Sequence, residues 1–328
     1  MRALVTGGGG FLGRYVVEQL LARGDQVRVL GRRDYPDLAA SGVECVRGDV
    51  ADAQIVSQAC AGMDVVFHTA AIAGIWGRWE DYYQANVVGT ENIVAACRQH
   101  GVGRLVHTSS PSVTFDGADQ NGVDESVPYP TKWLAHYPRS KAIAEQHVLT
   151  ANEPGKLLTC ALRPHLIWGP RDQHLIPRLI ERAKSGKLRI VGNGNNLVDM
   201  IYVENAAVAH LQAADALTAG ATICGRAYFL SQGEPVVCWD WINDLLKLAE
   251  IPPLRRKISY RAAYAIGGLM EAAYRIAGKY DSEPRMTRFL AAQLATNHYF
   301  DLSAARRDFG YQPKINMAEG MRRLAETL

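Results

Sequence analysis

The chain has 328 residues, 48% of them hydrophobic and 21% charged, enough apolar side chain for one large core or two modest ones. A formal net charge of +3 without any basic run gives no footing for nucleic acid. No apolar stretch reaches membrane-spanning length, and the six cysteines (Cys45, Cys60, Cys97, Cys160, Cys224, Cys238) lack C-x-x-C pairing. They read as reduced, buried thiols. The first strand starts at once, which leaves no room for a signal peptide, so a soluble, cytoplasmic protein without a metal site is expected.

Ala3-Leu4-Val5-Thr6 reads as a buried strand, four glycines follow, and Phe11-Leu12 open an apolar-periodic helix through Val16, Val17, Leu20 and Leu21. Strand, glycine turn and helix make the front half of a βαβ nucleotide-binding unit. Gly7 allows a tight turn, Gly10 removes a Cβ that would block a pyrophosphate, and Gly13 lets the helix pack closely on the strand. The phosphates would sit on free N–H groups at the helix start, at Phe11 and Leu12. The spacing Gly7-x-x-Gly10-x-x-Gly13 resembles the TGxxGxxG turn of the extended short-chain dehydrogenases/reductases. That resemblance implies an α/β fold, a Rossmann-type doubly wound parallel sheet with a smaller, mainly helical C-terminal substrate lobe.

Gln26–Leu30 is a second strand, ending in Gly31-Arg32-Arg33. NAD-binding units place an acidic residue near this point for the ribose 2′-OH, whereas two guanidiniums suit a 2′-phosphate. NADP(H) is therefore favoured; NAD(H) stays open, since Asp34 is also at hand. Val43–Val46 is a third strand that runs into Asp49-Val50, a pair that the resemblance places beside the adenine. Asp64–Thr69 is the fourth, opening into Ala70-Ala71, where small residues let a cofactor approach the backbone. The aromatics Trp76, Trp79, Tyr82 and Tyr83 follow, and Trp76 is a candidate for a substrate pocket. Residues 82–100 read as a helix, and Arg104–His107 is a fifth strand ending in Thr108-Ser109-Ser110.

Tyr137-x-x-x-Lys141 opens the next helix, 27 residues after Ser110. Tyr and Lys four apart share one helix face, so an ammonium can favour the phenolate and lower a tyrosine pKa from about 10. A phenol so tuned exchanges a proton with a ketone or alcohol, and a serine hydroxyl stabilises the same oxygen. Residue physics does not separate Ser109 from Ser110; the resemblance selects Ser110 as catalytic, with Tyr137 and Lys141. It also places Thr108, Tyr137 and Lys141 against the cofactor, and Pro164 and Ile167 of Arg163-Pro164-His165-Leu166-Ile167-Trp168-Gly169-Pro170 beside the nicotinamide.

Residues 1–170 are expected to form the nucleotide domain, completed by about 200–231, with 171–199 and 232–328 as the substrate lobe. Ser109 through Gly117 and His298-Tyr299-Phe300-Asp301 resemble the 3β-hydroxysteroid dehydrogenase branch. Ala73-Gly74-Ile75-Trp76-Gly77 and Pro128-Tyr129-Pro130 resemble its group of bacterial 2-alkyl-3-oxoalkanoate reductases of olefin biosynthesis. That resemblance implies NADPH-dependent reduction of a fatty 2-alkyl-3-oxo acid. A sterol or 3β-hydroxysteroid dehydrogenase is the enzymatic alternative, and a dinucleotide sensor without chemistry the alternative of another class. Arg171 and His174 would meet the substrate carboxylate, and Tyr260, Tyr264, Ile266, Leu269, Met270, Ala273, Tyr274 and Ile276 offer apolar surface for its tails, for the core, or for a lid or membrane-surface role. The resemblance further implies a homodimer through helices 82–100 and 137–152. Association with other enzymes of a lipid pathway fits a poorly soluble intermediate.

Overall fold

The computed structural model describes residues 1–328. Seven parallel strands form one sheet, in the spatial order Arg226–Leu230, Leu158–Pro164, Arg104–Thr108, Val65–His68, Arg2–Thr6, Gln26–Gly31, Glu44–Arg47. Chain order reverses beside Arg2–Thr6, which pairs with Gln26–Gly31 on one side and Val65–His68 on the other. That reversal leaves a crevice at the carboxyl ends of the strands, where a nucleotide binds in such sheets. The strand starts and ends expected from apolar runs match those observed to within two residues.

Period-two alternation sorts the sheet's two faces. Ala3, Val5, Val65, Phe67 and Val106 turn toward the Phe11–Ala22 and Val203–Ala216 helices, while Leu4, Val66 and Leu105 turn toward Ala53–Cys60, Gly89–His100 and His136–Thr150. A separate core holds Trp168, Trp239, Trp241, Leu245 and Ile190. The chain's last part is divided between the two cores, with Ile315 and Leu324 in the second. Phe300, Leu302, Ala305, Phe309 and Tyr311 join the core of the main sheet, and His298–Phe300 pairs in parallel with Gln120–Val123.

Three local features depart from expectation. The helix foreseen over 82–100 is interrupted by a wide turn at Tyr83–Val88 before it resumes at Gly89. Cys45 is exposed and Cys224 half-buried rather than buried, although all six thiols are free. The Tyr260–Ile276 helix packs Tyr260 and Tyr264 against the second core but turns three large aliphatic residues outward: Leu269 and Ile276 are 72% and 89% exposed, and Ile266 is exposed too. Its buried stripe is Ala263, Gly267 and Glu271. A Cβ on Gly267 would stand 2.6 Å from the Thr287 carbonyl carbon, so only the small-residue face allows this close crossing. No helix is long and apolar enough to cross a membrane.

A buried ion pair ties the His136–Thr150 helix to the sheet. Arg163 Nε and Nη2 donate to the Glu145 carboxylate at 2.9 and 2.6 Å, and the Tyr129 hydroxyl donates to the same group at 2.6 Å. Both charged side chains are essentially inaccessible, at 4% and 0% exposure. Removing one partner would strand the other charge, so Glu145→Ala should cost about 3–5 kcal/mol in denaturant unfolding. A loss below about 1 kcal/mol would show that the pair does not anchor the helix.

Candidate active site

The glycine turn is built for close approach. Gly7 has φ +71°, and a Cβ there would lie 2.9 Å from the Ala70 backbone. A Cβ on Gly13 would run into the Gly7 carbonyl, so the Phe11–Ala22 helix rests directly on the turn. Gly10 caps that helix with no side-chain hydrogen bond, which leaves the first-turn N–H groups free for an anion. The groove alongside is lined by Gly9, Gly10, Phe11, Arg14, Arg33, Asp34, Tyr35 and Arg171. These residues fit the diphosphate and ribose of a dinucleotide: a cradle without side chains, flanked by guanidiniums. Arg33 lines the groove and the exposed Arg32 does not; Asp34 pairs with Arg47 at 3.1 Å. Leu12 is buried in the helix, Val50 is buried with its carbonyl held by Asn92, and Asp49 and Ala71 are exposed.

A second cavity opens past the strand ends. Ser110, Tyr137, Ile75, Phe115, Phe289 and Phe300 line it, together with His165, His298, Gln120 and Gln293. Ser110 and Tyr137 thus share one wall, whereas Ser109 is buried outside the lining. Lys141 is buried one helical turn behind Tyr137. Its ammonium donates to the Thr108 carbonyl at 2.7 Å and to His107 Nε2 at 3.2 Å. Burial pulls its pKa down to about 7, Glu145 opposing. The expected lowering of the Tyr137 pKa is not what the structure gives. Burial raises it, the Ser110 hydroxyl pulls the other way, and the Lys141 charge does not enter. The reason is geometric: the ammonium is engaged by Thr108 and His107 rather than by the phenol.

Surrounding polar contacts hold these groups in place. Asn86, in the wide turn, donates to Ser140 Oγ at 2.9 Å and clasps both backbone groups of Ile72. Thr108 Oγ1 meets His210 Nε2 at 2.8 Å, fixing the strand end that receives Lys141. Pro164 is buried and Ile167 half-buried at the next strand end, and Leu166 between them lines the cavity with φ +42°, a strained conformation for a bulky residue.

The substrate contacts foreseen at Trp76, Arg171 and His174 are not brought to this cavity. The Trp76 indole N–H donates to the Lys279 carbonyl at 2.9 Å, and its ring stacks on Tyr280, so it fastens the loop to the end of the Tyr260–Ile276 helix. Its neighbours Gly74 and Ile75 line the cavity instead. Arg171 grips Glu18 through two hydrogen bonds at 2.6 and 2.8 Å and lies 4.0 Å over the Tyr15 ring, which turns it to the dinucleotide groove. Asp172 caps the following helix, leaving His174 exposed at its start. Sequence reasoning did not assign Phe289, Gln293 or Gln120 to the cavity. They come from distant segments, and no local spacing marks them.

A glycine-cradled groove meeting a Ser–Tyr cavity at the ends of a parallel sheet is the arrangement of an oxidoreductase of the extended short-chain dehydrogenase/reductase class. The fold is shared by MoeE5, solved in complex with UDP-glucose and NAD, with a TM-score of 0.76 over 99% of this chain and 98% of that one; at 24% identity the likeness concerns fold alone. Residues 4–258 match the 3-beta hydroxysteroid dehydrogenase/isomerase family, and the chain belongs to it. Among its relatives are a 2-alkyl-3-oxoalkanoate reductase of Stenotrophomonas maltophilia, 51% identical over 99% of this chain and 98% of that protein, and the decarboxylating sterol-4-alpha-carboxylate 3-dehydrogenase of Mus musculus, 35% identical over 99% and 90%.

Two outcomes test this geometry. Gly13→Ala should abolish dinucleotide binding measured by nicotinamide fluorescence, because the added Cβ displaces the helix that carries the cradle. Lys141 has a folded pKa of about 7, below that of the unfolded chain, so its stability contribution is present at high pH and lost as pH falls through 7. Lys141→Met should therefore raise Tm relative to the unaltered protein more at pH 6 than at pH 9. A pH-independent difference would contradict the buried ammonium.

Proposed function

We propose that the protein reduces the 3-keto group of a 2-alkyl-3-oxoalkanoic acid with NADPH, giving the 2-alkyl-3-hydroxy acid. The observation that carries the reading is a Ser110–Tyr137 wall on an aromatic-lined cavity in a chain 51% identical, end to end, to a reductase named for that substrate. The bound nicotinamide supplies the hydride. Tyr137 donates its proton to the ketone oxygen as negative charge develops there, and Ser110 holds the same oxygen by its hydroxyl. A phenol whose pKa is raised by burial keeps that proton until the carbonyl needs it. Lys141, on the same helix face, keeps positive charge near the reaction below about pH 7. Arg33 and Arg14 in the groove support a 2′-phosphate, and with it NADP(H).

Absorbance at the reduced-nicotinamide band, with a 2-alkyl-3-hydroxy acid and NADP⁺ or NAD⁺, tests the reading. Turnover with NADP⁺ is expected, and Tyr137→Phe should lower kcat by about 10²–10⁴-fold. Arg33→Ala should raise KM for NADPH on the order of tenfold and leave KM for NADH nearly unchanged. Turnover of a 3β-hydroxysteroid with NAD⁺, and none of the fatty acid, would overturn it in favour of a sterol dehydrogenase.

A further inference from the structure

The cavity that holds Ser110 and Tyr137 contains no lysine or arginine; its titratable side chains are Tyr137, His165 and His298. The two imidazoles meet edge to face, with centroids 4.8 Å apart. They are 6% and 2% exposed. His165 Nδ1 donates to the Asp199 carbonyl at 2.7 Å, which fixes its tautomer and leaves Nε2 an acceptor. His298 Nε2 donates to the Gln293 carbonyl at 2.8 Å, and its Nδ1 is buried with no partner. An orphaned acceptor of this kind costs about 1–3 kcal/mol unless a water or a ligand completes it.

We infer that His298, backed by His165, is the seat of the substrate's carboxyl group, and that the acid enters the cavity together with one proton. This rests on the acid-reductase reading above and names its missing polar contact, since Arg171 and His174 lie elsewhere. A carboxylate meeting two neutral acceptors finds no donor. One proton from solvent resolves this, either on the carboxyl, whose O–H then donates to His298 Nδ1, or on Nδ1, which then donates to the carboxylate. Either way one proton is taken up and no bond to carbon changes.

The surroundings agree. Burial holds both imidazoles below the usual histidine range, so they are neutral at pH 7 before the acid arrives. The facing charges are few. Asp119, joined to the Asn297 backbone, favours the imidazolium of His298. Asp199, its pKa pushed up to about 6 by burial, spends one oxygen on the Phe300 N–H. The Arg288–Gln293 helix presents Gln293 and Phe289 to the cavity, and its Arg288 is bound to Glu271. Tyr137 is neutral.

The test uses the NADP⁺-loaded protein with 2-hexyldecanoic acid, which lacks the ketone, and its methyl ester, titrated calorimetrically from pH 6.5 to 8.5. Affinity for the acid should weaken about tenfold per pH unit, as one-proton linkage requires, and affinity for the ester should not change. His298→Leu should weaken the acid at least tenfold more than the ester. His298→Asn, whose amide N–H donates without titrating, should recover part of the acid affinity with a flat pH profile. A flat profile in the unaltered protein, or equal losses of acid and ester in His298→Leu, would overturn the inference. The proposed function fails separately, if 2-alkyl-3-oxo acids consume no NADPH while proton-linked acid binding persists.

Discussion

Two charges one turn apart on the His136–Thr150 helix organise the site. Glu145 is neutralised by Arg163 within hydrogen-bond distance, while Lys141, equally buried, is left with a carbonyl and an imidazole. A buried ion pair contributes little net stability, yet breaking one is expensive, so the helix has a single docking position relative to the sheet. Tyr137 and Lys141 inherit that position. The Thr108 carbonyl that receives Lys141 belongs to the strand whose continuation carries Ser110, so one lattice of polar contacts locates both groups on the cavity wall.

How much of this was legible depends on the range of the signal. The first five strands of the sheet follow from short runs in the sequence, and the glycine turn is a local steric requirement, so both are legible there. Residue physics left Ser109 and Ser110 unresolved; the family resemblance chose Ser110, and it is Ser110 that lines the cavity with Tyr137. What failed was orientation. Trp76, Arg171 and His174 stand near the site in the chain but are turned aside by the Lys279 carbonyl, by Glu18 and by the Asp172 cap. The Tyr260–Ile276 helix was legible only in part. Its periodicity left core and surface uses open, and the fold divides them: Tyr260 and Tyr264 pack inward, while a backbone crossing at Thr287 demands Ala263 and Gly267 and leaves Ile266, Leu269 and Ile276 outside. His165 and His298 sit in motifs that the sequence displayed, 133 positions apart; only the fold brings their rings together.

The two recognition surfaces use opposite electrostatics. The dinucleotide groove is polar and open, with Arg14 and Arg171 held by acidic partners and Arg33 beside them. The cavity is walled by aromatic rings and neutral histidines, where any charge must bring its own compensation. Ser110 and Tyr137 stand on the wall of the second of these surfaces.

The pairing of His298–Phe300 with Gln120–Val123, and the burial of Phe309 and Tyr311 in the main core, have a bearing on biosynthesis. Translation delivers the glycine turn, the His136–Thr150 helix and all seven strands of the sheet before the segment that closes the cavity emerges. A ribosome-bound chain ending near residue 290 would already hold the nucleotide crevice, with Phe229 lacking its stacking partner Phe300 and the cavity open along one side. The crevice can therefore form first, with the pocket completed once the segment around Phe300 arrives.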